Sequence, residues 1–151
     1  MFYKLINDLM YKQSLKNLNG YEKVLWGDDP EDDRFLWYIT NTAAYRIPKE
    51  YVYVLLRDEP TKEESMKSIT TPDADARTLT RTGNERSVDK RTLIEFEFDD
   101  GEKMYINKDL LKPFDKAKSI ANLRYEAKNG ISKMFVMHGD AVLGLVLPVR
   151  V

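Results

Sequence analysis

The sequence predicts an α+β protein: an antiparallel sheet built from a meander and two hairpins, with short helices packed on one face. Three observations carry this. Several short runs alternate apolar and polar residues at period two, turn residues separate those runs, and apolar spacings of three and four dominate the N-terminal segment.

Phe2, Leu5, Ile6, Leu9 and Met10 fall on one stripe of a helix over about residues 2–17, which Asn19-Gly20 ends. Tyr21–Trp26 reads as a strand, Gly27–Asp33 as an acidic loop, and Arg34–Thr40 as a second strand with Phe35, Trp37 and Ile39 on one face. A turn at Asn41-Thr42 leads to a third strand that stops near Ile47, because Pro48 cannot donate to a ladder. Tyr51–Leu56 has the composition of a strand, but Pro48-Lys49-Glu50 can open a helical turn, and a short helix or bend is expected there. Thr61-Lys62-Glu63-Glu64 is a capping-box pattern for a helix to about Ile69. Residues 70–91 are polar, punctuated by Pro72, Gly83 and Asn84, and read as a long loop.

The densest run of agreeing signals is Thr92–Phe114. Leu93, Glu95 and Glu97 alternate with Ile94, Phe96 and Phe98, and Asp100-Gly101 suits a two-residue type I′ turn. Glu102–Ile106 then resumes the alternation with Met104 and Ile106 inward. Asn107 caps a short helix, Lys108 to roughly Lys112, that Pro113 stops. Ser119–Ala127 carries no decisive pattern. Lys133–His138, Gly139-Asp140 and Ala141–Leu147 make a second hairpin, and the chain closes on a strand whose Pro148 suits a sheet edge. That edge, near Val149, leaves a homo-oligomer open.

At 151 residues and 17.7 kDa the chain is the size of one domain, 1–151. An echo between Ile47–Val52 and Ile106–Leu111 raises an arrangement of two related lobes, 1–69 and 92–151, joined by the polar loop 70–91. The net charge of −1 excludes a global field that would draw the chain to nucleic acid or an anionic membrane. With no cysteine there are no disulfides, thiolate metal sites or cysteine nucleophile, which suits a cytoplasmic location. The N-terminus has no signal-peptide core. The longest nearly apolar run, residues 141–149, falls far short of the roughly 20 residues that span a bilayer, so no membrane partner is expected.

Asp28, Asp29, Glu31, Asp32 and Asp33 offer hard oxygen ligands without the spacing or central glycine of a calcium loop, so they read as a solvated loop presenting negative charge to a partner. His138, the single histidine, has no nucleophile in an elbow motif beside it and reads as a turn residue. Glu95, Glu97, Asp99, Glu102 and Lys103 invite comparison with metal-dependent nucleases, but the order of acids and lysine is wrong for one. Arg77, Arg81, Arg86, Lys90 and Arg91 stand against only Glu85 and Asp89, which makes 77–91 the best phosphate-contacting stretch. The first half is rich in aromatics; Trp37 and Tyr38 point to opposite faces of their strand, and an aromatic on an exposed sheet face is a typical protein-binding anchor. Nothing calls for a cofactor.

In Tyr45-Arg46-Ile47-Pro48-Lys49-Glu50 and in Gly144–Arg150 the chain resembles small proteins carried by phages and mobile elements of Gram-positive bacteria. The resemblance implies an accessory role during infection, either inhibition of a host defence system, as anti-CRISPR proteins do, or help with replication. It carries over no catalytic residue. The resulting expectation is a non-enzymatic protein that binds a host protein through Asp28, Asp29, Glu31, Asp32, Asp33, Trp37 and Tyr38. The alternative is a clamp-like, DNA-associated replication module that uses the basic stretch 77–91.

Overall fold

Both predicted hairpins form, and six further pairings build one antiparallel sheet around them. The computed structural model describes residues 3–18, 25–54, 56, 59–114, 122–128 and 131–149. In chain order the elements are α1 (Tyr3–Leu18), β1 (Leu25–Asp28), β2 (Phe35–Ile39), β3 (Ala43–Pro48), a 3-10 turn (Lys49–Tyr51), α2 (Glu63–Thr70), β4 (Arg77–Val88), β5 (Arg91–Glu97), β6 (Lys103–Asn107), α3 (Lys108–Leu111), β7 (Asn122–Lys128), β8 (Ile131–His138) and β9 (Ala141–Val146). The strands lie in the order β1-β2-β3-β9-β8-β7-β4-β5-β6, which is the predicted α+β class. The expected helix stop at Asn19-Gly20 and residues 21–24 of the first strand lie outside the described residues. Among the described residues no helix is long and apolar enough to cross a membrane.

The sheet is open, with β1 and β6 at its two edges. Beyond β9 the chain crosses to β6, where the Val149 amide donates to the Tyr105 carbonyl at 2.8 Å. At the other end the Thr61 amide donates to the Trp26 carbonyl of β1 at 2.7 Å. Both outer strands therefore have a backbone partner from an irregular segment, a recognised protection for sheet edges. The exposed edge expected near Val149 is instead a cover over β6.

Strand β2 reads FLWYI, too continuously apolar for a strand with one wet face, and the structure shows why: both faces are covered. Leu36 and Tyr38 enter the main core with Tyr45, Ile47, Phe96, Ile106, Met134 and Val136, whereas Trp37 enters a second core with Ala44, Met66, Phe135 and Leu145. Each such side chain taken out of water contributes about 2 kcal/mol, so β2 anchors both layers. Ile6 and Met10 of α1 and Leu111 of α3 pack on the main core, and Met66 of α2 on the second. The helices are thus divided between the two faces, where one was expected. Gly27 permits α2 to lie close over β1, since a Cβ there would run into the Met66 side chain.

Three local expectations are corrected. Residues 77–88, read as part of a long loop, are a strand inside the sheet, paired with β5 on one side and through Arg77–Thr80 with β7 on the other. Only Leu79 in this strand is a large buried apolar residue, so the period-two signal is hidden. That strand and the β3–β9 pairing run one sheet through both proposed lobes and the segment between them. The β4–β5 turn uses Asp89 and Lys90, both with positive φ (48° and 66°), a type I′ geometry without the glycine that normally signals it. In the β5–β6 hairpin the Phe98 amide donates to the Glu102 carbonyl, leaving the three-residue loop Asp99-Asp100-Gly101, in which Gly101 has positive φ (86°). A type I turn closed by a left-handed glycine, one residue longer than the expected turn, fits that geometry. Helix α2 has Lys62 at its N-cap with no side-chain cap, because the Thr61 amide of the expected capping box is committed to Trp26. The Asn107 cap does form, accepting from the Asp109 amide at 3.0 Å.

Candidate binding surfaces

The acidic loop is organised by Asp29, whose carboxylate accepts four hydrogen bonds. Oδ1 takes the amides of Glu31 (2.9 Å) and Asp32 (3.1 Å), and Oδ2 takes Trp37 Nε1 (2.9 Å) and Arg46 Nε (2.7 Å). Trp37 and Arg46 are cross-strand partners on β2 and β3, so one carboxylate ties the loop to two strands. The Arg46 guanidinium also lies 3.8 Å over the Phe35 ring. Burial pushes the Asp29 carboxyl up, but the hydrogen bonds from Arg46, Glu31 and Trp37 together outweigh it and hold the group below its ordinary value. Asp32 closes the end of the loop on Arg34, through both the amide and the guanidinium, and is held down to about 2 by those bonds. Asp28 pairs with Lys49 at 3.0 Å. Only Glu31 and Asp33 make no ion pair among the described residues.

Trp37 and Tyr38, expected as exposed anchors, are 1% and 0% exposed. Trp37 faces α2 and spends its N–H on Asp29, while the Tyr38 hydroxyl donates to the Leu9 carbonyl of α1 at 3.3 Å. Neither offers a free surface. Their apolar bodies are what stabilises the two cores, and a second core was not legible from one strand.

Beside the loop lies a cleft of about 450 Å³. Trp37, Arg46, Met137, Val142 and Arg124 line it from the sheet; Glu31, Thr71 and Asp140 line it from the loops. The 70–76 segment that forms one wall is held by polar side chains of β7, and the end of α2 before it by one of β8. Arg124 Nη2 donates to the carbonyls of Asp73 and Ala74 (both 3.3 Å), Glu126 accepts from the Asp73 amide (2.8 Å), and Lys133 donates to the Ser68 carbonyl (3.1 Å). Glu126 and Lys133, only 6% and 13% exposed, lie 3.7 Å apart.

The acid and lysine compared with nuclease centres do converge, but in a network that commits the carboxylate to three hydrogen bonds within the sheet. Glu95 accepts from Thr82 Oγ1 (2.9 Å), Asn84 Nδ2 (3.2 Å) and the Tyr105 hydroxyl (3.0 Å), with Lys103 at 3.9 Å. Arg81 pairs with Phe96 and Glu85 with Ile94, so Thr82, Gly83 and Asn84 all stand opposite Glu95, and the carboxylate pins this bulge. The bond from Thr82, followed by that from Asn84, holds Glu95 below its usual range. Lys103 is raised, chiefly by its hydrogen bond to Glu97. Among the described residues no three His, Cys, Asp or Glu groups could hold a metal ion. His138 is exposed at the end of β8.

The five basic residues of 77–91 do not share a surface. Arg77 stacks 3.9 Å over Phe98 and reaches Asp100 at 3.3 Å, and Arg81 lies 3.7 Å from Glu85 with its Nη1 buried and without a hydrogen-bond partner. Arg86 lies 5.5 Å over the Tyr105 ring on the other side of the sheet, while Lys90 and Arg91 sit at the hairpin turn. Alternation along β4 is what divides them.

A different aromatic surface is present that the period-two reading did not find. Tyr53 and Tyr11 are 76% and 58% exposed, and Tyr51 is 41% exposed with its ring stacked on Tyr3 at 4.9 Å. Asn7 of α1, itself 7% exposed, places them: its Nδ2 donates to the Tyr51 carbonyl (2.7 Å) and its Oδ1 accepts from the Tyr53 amide (3.0 Å). The carboxamide thereby imitates one rung of a β-ladder and fixes the backbone leaving the 3-10 turn against the helix. The alternation of Tyr51 and Tyr53 in YVYV was the available signal; the helix partner needed to expose them was not.

Compared with known proteins, the chain matches no family model, no curated protein and no solved structure.

Proposed function

We propose that this chain is a non-enzymatic binding protein that engages a host protein through its tyrosine face. The observation that carries the reading is the Asn7 clamp, which presents Tyr51 and Tyr53 outward on a fixed backbone beside Tyr3. Tyrosine supplies large contact area with two side-chain torsions to order, and a backbone already held in place lowers the entropy lost on association. The likeness of residues 45–50 and 144–150 to phage and mobile-element proteins directs the proposal toward an accessory role in infection, with inhibition of a defence protein as its most specific form. Absence of cysteine suits action in the cytoplasm.

The test is capture from bacterial lysate on the immobilised chain, with and without nuclease, using the native chain and a Tyr51→Ala/Tyr53→Ala variant. A discrete protein retained after nuclease and lost with the variant is the expected result. Recovery of nuclease-sensitive material alone would overturn the reading and turn attention to Arg77, Arg81, Arg86, Lys90 and Arg91.

A further inference from the structure

The cleft next to the acidic loop has a charge layout that the tyrosine face does not use. Its two guanidiniums, on Arg46 and Arg124, stand on strands β3 and β7 and form part of the sheet-side floor. Each is fixed through one nitrogen: Arg46 through Nε to Asp29, Arg124 through Nη2 to two backbone carbonyls. A guanidinium carries five N–H donors, so both retain donors while their orientation is already set. The carboxylates that are not spent internally, Glu31 and Asp140, are exposed and sit on the rim, one on each facing loop. Asp29, the third acid in the lining, and Arg46 neutralise each other, so Arg46 contributes its free N–H donors while Arg124, bonded to carbonyls alone, contributes the uncompensated positive charge.

A simple anion would meet the guanidiniums but be repelled by Glu31 and Asp140, and a simple cation would meet the reverse. A guest with both charges satisfies both sets. We infer that this cleft is a binding site for a zwitterion of the amino-acid or short-peptide class, its carboxylate toward Arg46 and Arg124 and its ammonium toward Glu31 and Asp140. The volume, about 450 Å³, lies in the range of small-ligand sites and accommodates a dipeptide. Fixed arginines favour a carboxylate because their planar donors match its two oxygens and need no reordering on binding.

The experiment is ligand-observed NMR on the full chain with the twenty free amino acids and the twenty alanyl dipeptides, followed by titration of whatever binds. At least one member is expected to bind saturably, and N-acetylation or C-terminal amidation of that member should each weaken it by about tenfold or more. A Glu31→Gln/Asp140→Asn double variant, altered only at exposed rim positions, should reproduce the loss for the free ligand and leave the acetylated form unchanged. No saturable binding in either set overturns the inference. So does a ligand whose affinity is indifferent to acetylation or to the rim substitutions. Loss of the lysate partner with intact dipeptide binding, or the reverse, separates this site from the tyrosine face.

Discussion

Asp29, in an acidic loop, and Glu95, in an alternating strand, are both held below the usual carboxylate range and both absorbed by the fold, yet the two networks differ in reach. Asp29 joins a loop to β2 and β3 and is 8% exposed; its charged partner Arg46 is 21% exposed. Glu95 is 14% exposed and gathers Thr82, Asn84 and Tyr105 from the same three-stranded hairpin unit. The partners of Glu95 are mostly neutral and near the surface, so water can replace the carboxylate. Those of Asp29 include a guanidinium packed on Phe35 and the indole N–H of Trp37, a residue only 1% exposed, so losing the carboxylate costs that N–H its acceptor. The cost of removing a carboxylate therefore depends on the fate of its donors rather than on their number.

The largest effect that would break this comparison is at Asp29. Asp29→Asn keeps the volume but places an amide N–H among donors, and is expected to cost about 3 kcal/mol, the lower end for breaking a buried charge pair. Thermal unfolding should register a fall of roughly 6–12 °C for a chain of this size. A fall of less than 2 °C would show that Asp29 is no hub.

The pH dependence follows with a definite sign. A carboxyl held below its unfolded value contributes stability that is present above the ordinary carboxylate range and is lost as pH falls through that range to the lower folded value. Native chain should lose denaturant midpoint on acidification below about pH 4, and Asp29→Asn should show a shallower loss over the same interval. Identical slopes for the two would contradict the assignment.

Glu95→Gln is expected to do less. The bulge at Thr82–Asn84 should open locally, seen as faster amide exchange at Gly83 and Asn84, with a smaller fall in melting temperature than Asp29→Asn produces. If Glu95→Gln proves the more damaging, the argument from donor fate fails.

How much of this was readable beforehand also divides along the comparison. The Asn107 cap, the β8–β9 hairpin and the β5–β6 alternation rest on residues within a few positions of one another, and the structure retains them. Strand β4 was lost to view because its rungs are Thr, Arg, Ser and Glu, whose β-pairing is imposed by β5 and β7. Asp29 looked like its acidic neighbours; what sets it apart is Arg46, 17 positions away, and Trp37, 8 away. The burial of Tyr38 depends on α1 and that of Trp37 on α2, neither of which β2 can announce. The tyrosine face was missed for the converse reason, since the exposure of Tyr51 and Tyr53 depends on Asn7, 44 and 46 positions away.

The smallest effect sharpens the contrast, because it acts on the Glu95 hairpin alone. Asp89 and Lys90 occupy left-handed backbone with φ of 48° and 66°, a conformation that crowds the Cβ of an L residue and that glycine adopts freely. Lys90→Gly gives the Asp-Gly pair that type I′ turns favour. Relief of the crowding exceeds the greater freedom glycine gains in the unfolded chain, for a net gain of about 0.5 kcal/mol, or roughly 1–2 °C in melting temperature. Lys90 is exposed and makes no ion pair among the described residues, so nothing offsets the gain. Amide exchange should slow at Val88 and Arg91 and, when combined with Glu95→Gln, partly recover at Gly83 and Asn84. The Asp29 loop should be indifferent. Equal protection gained at Glu31 and Asp32 would mean that the hairpin and the acidic loop open as one unit, and the distinction between a local and a long-range carboxylate would not hold.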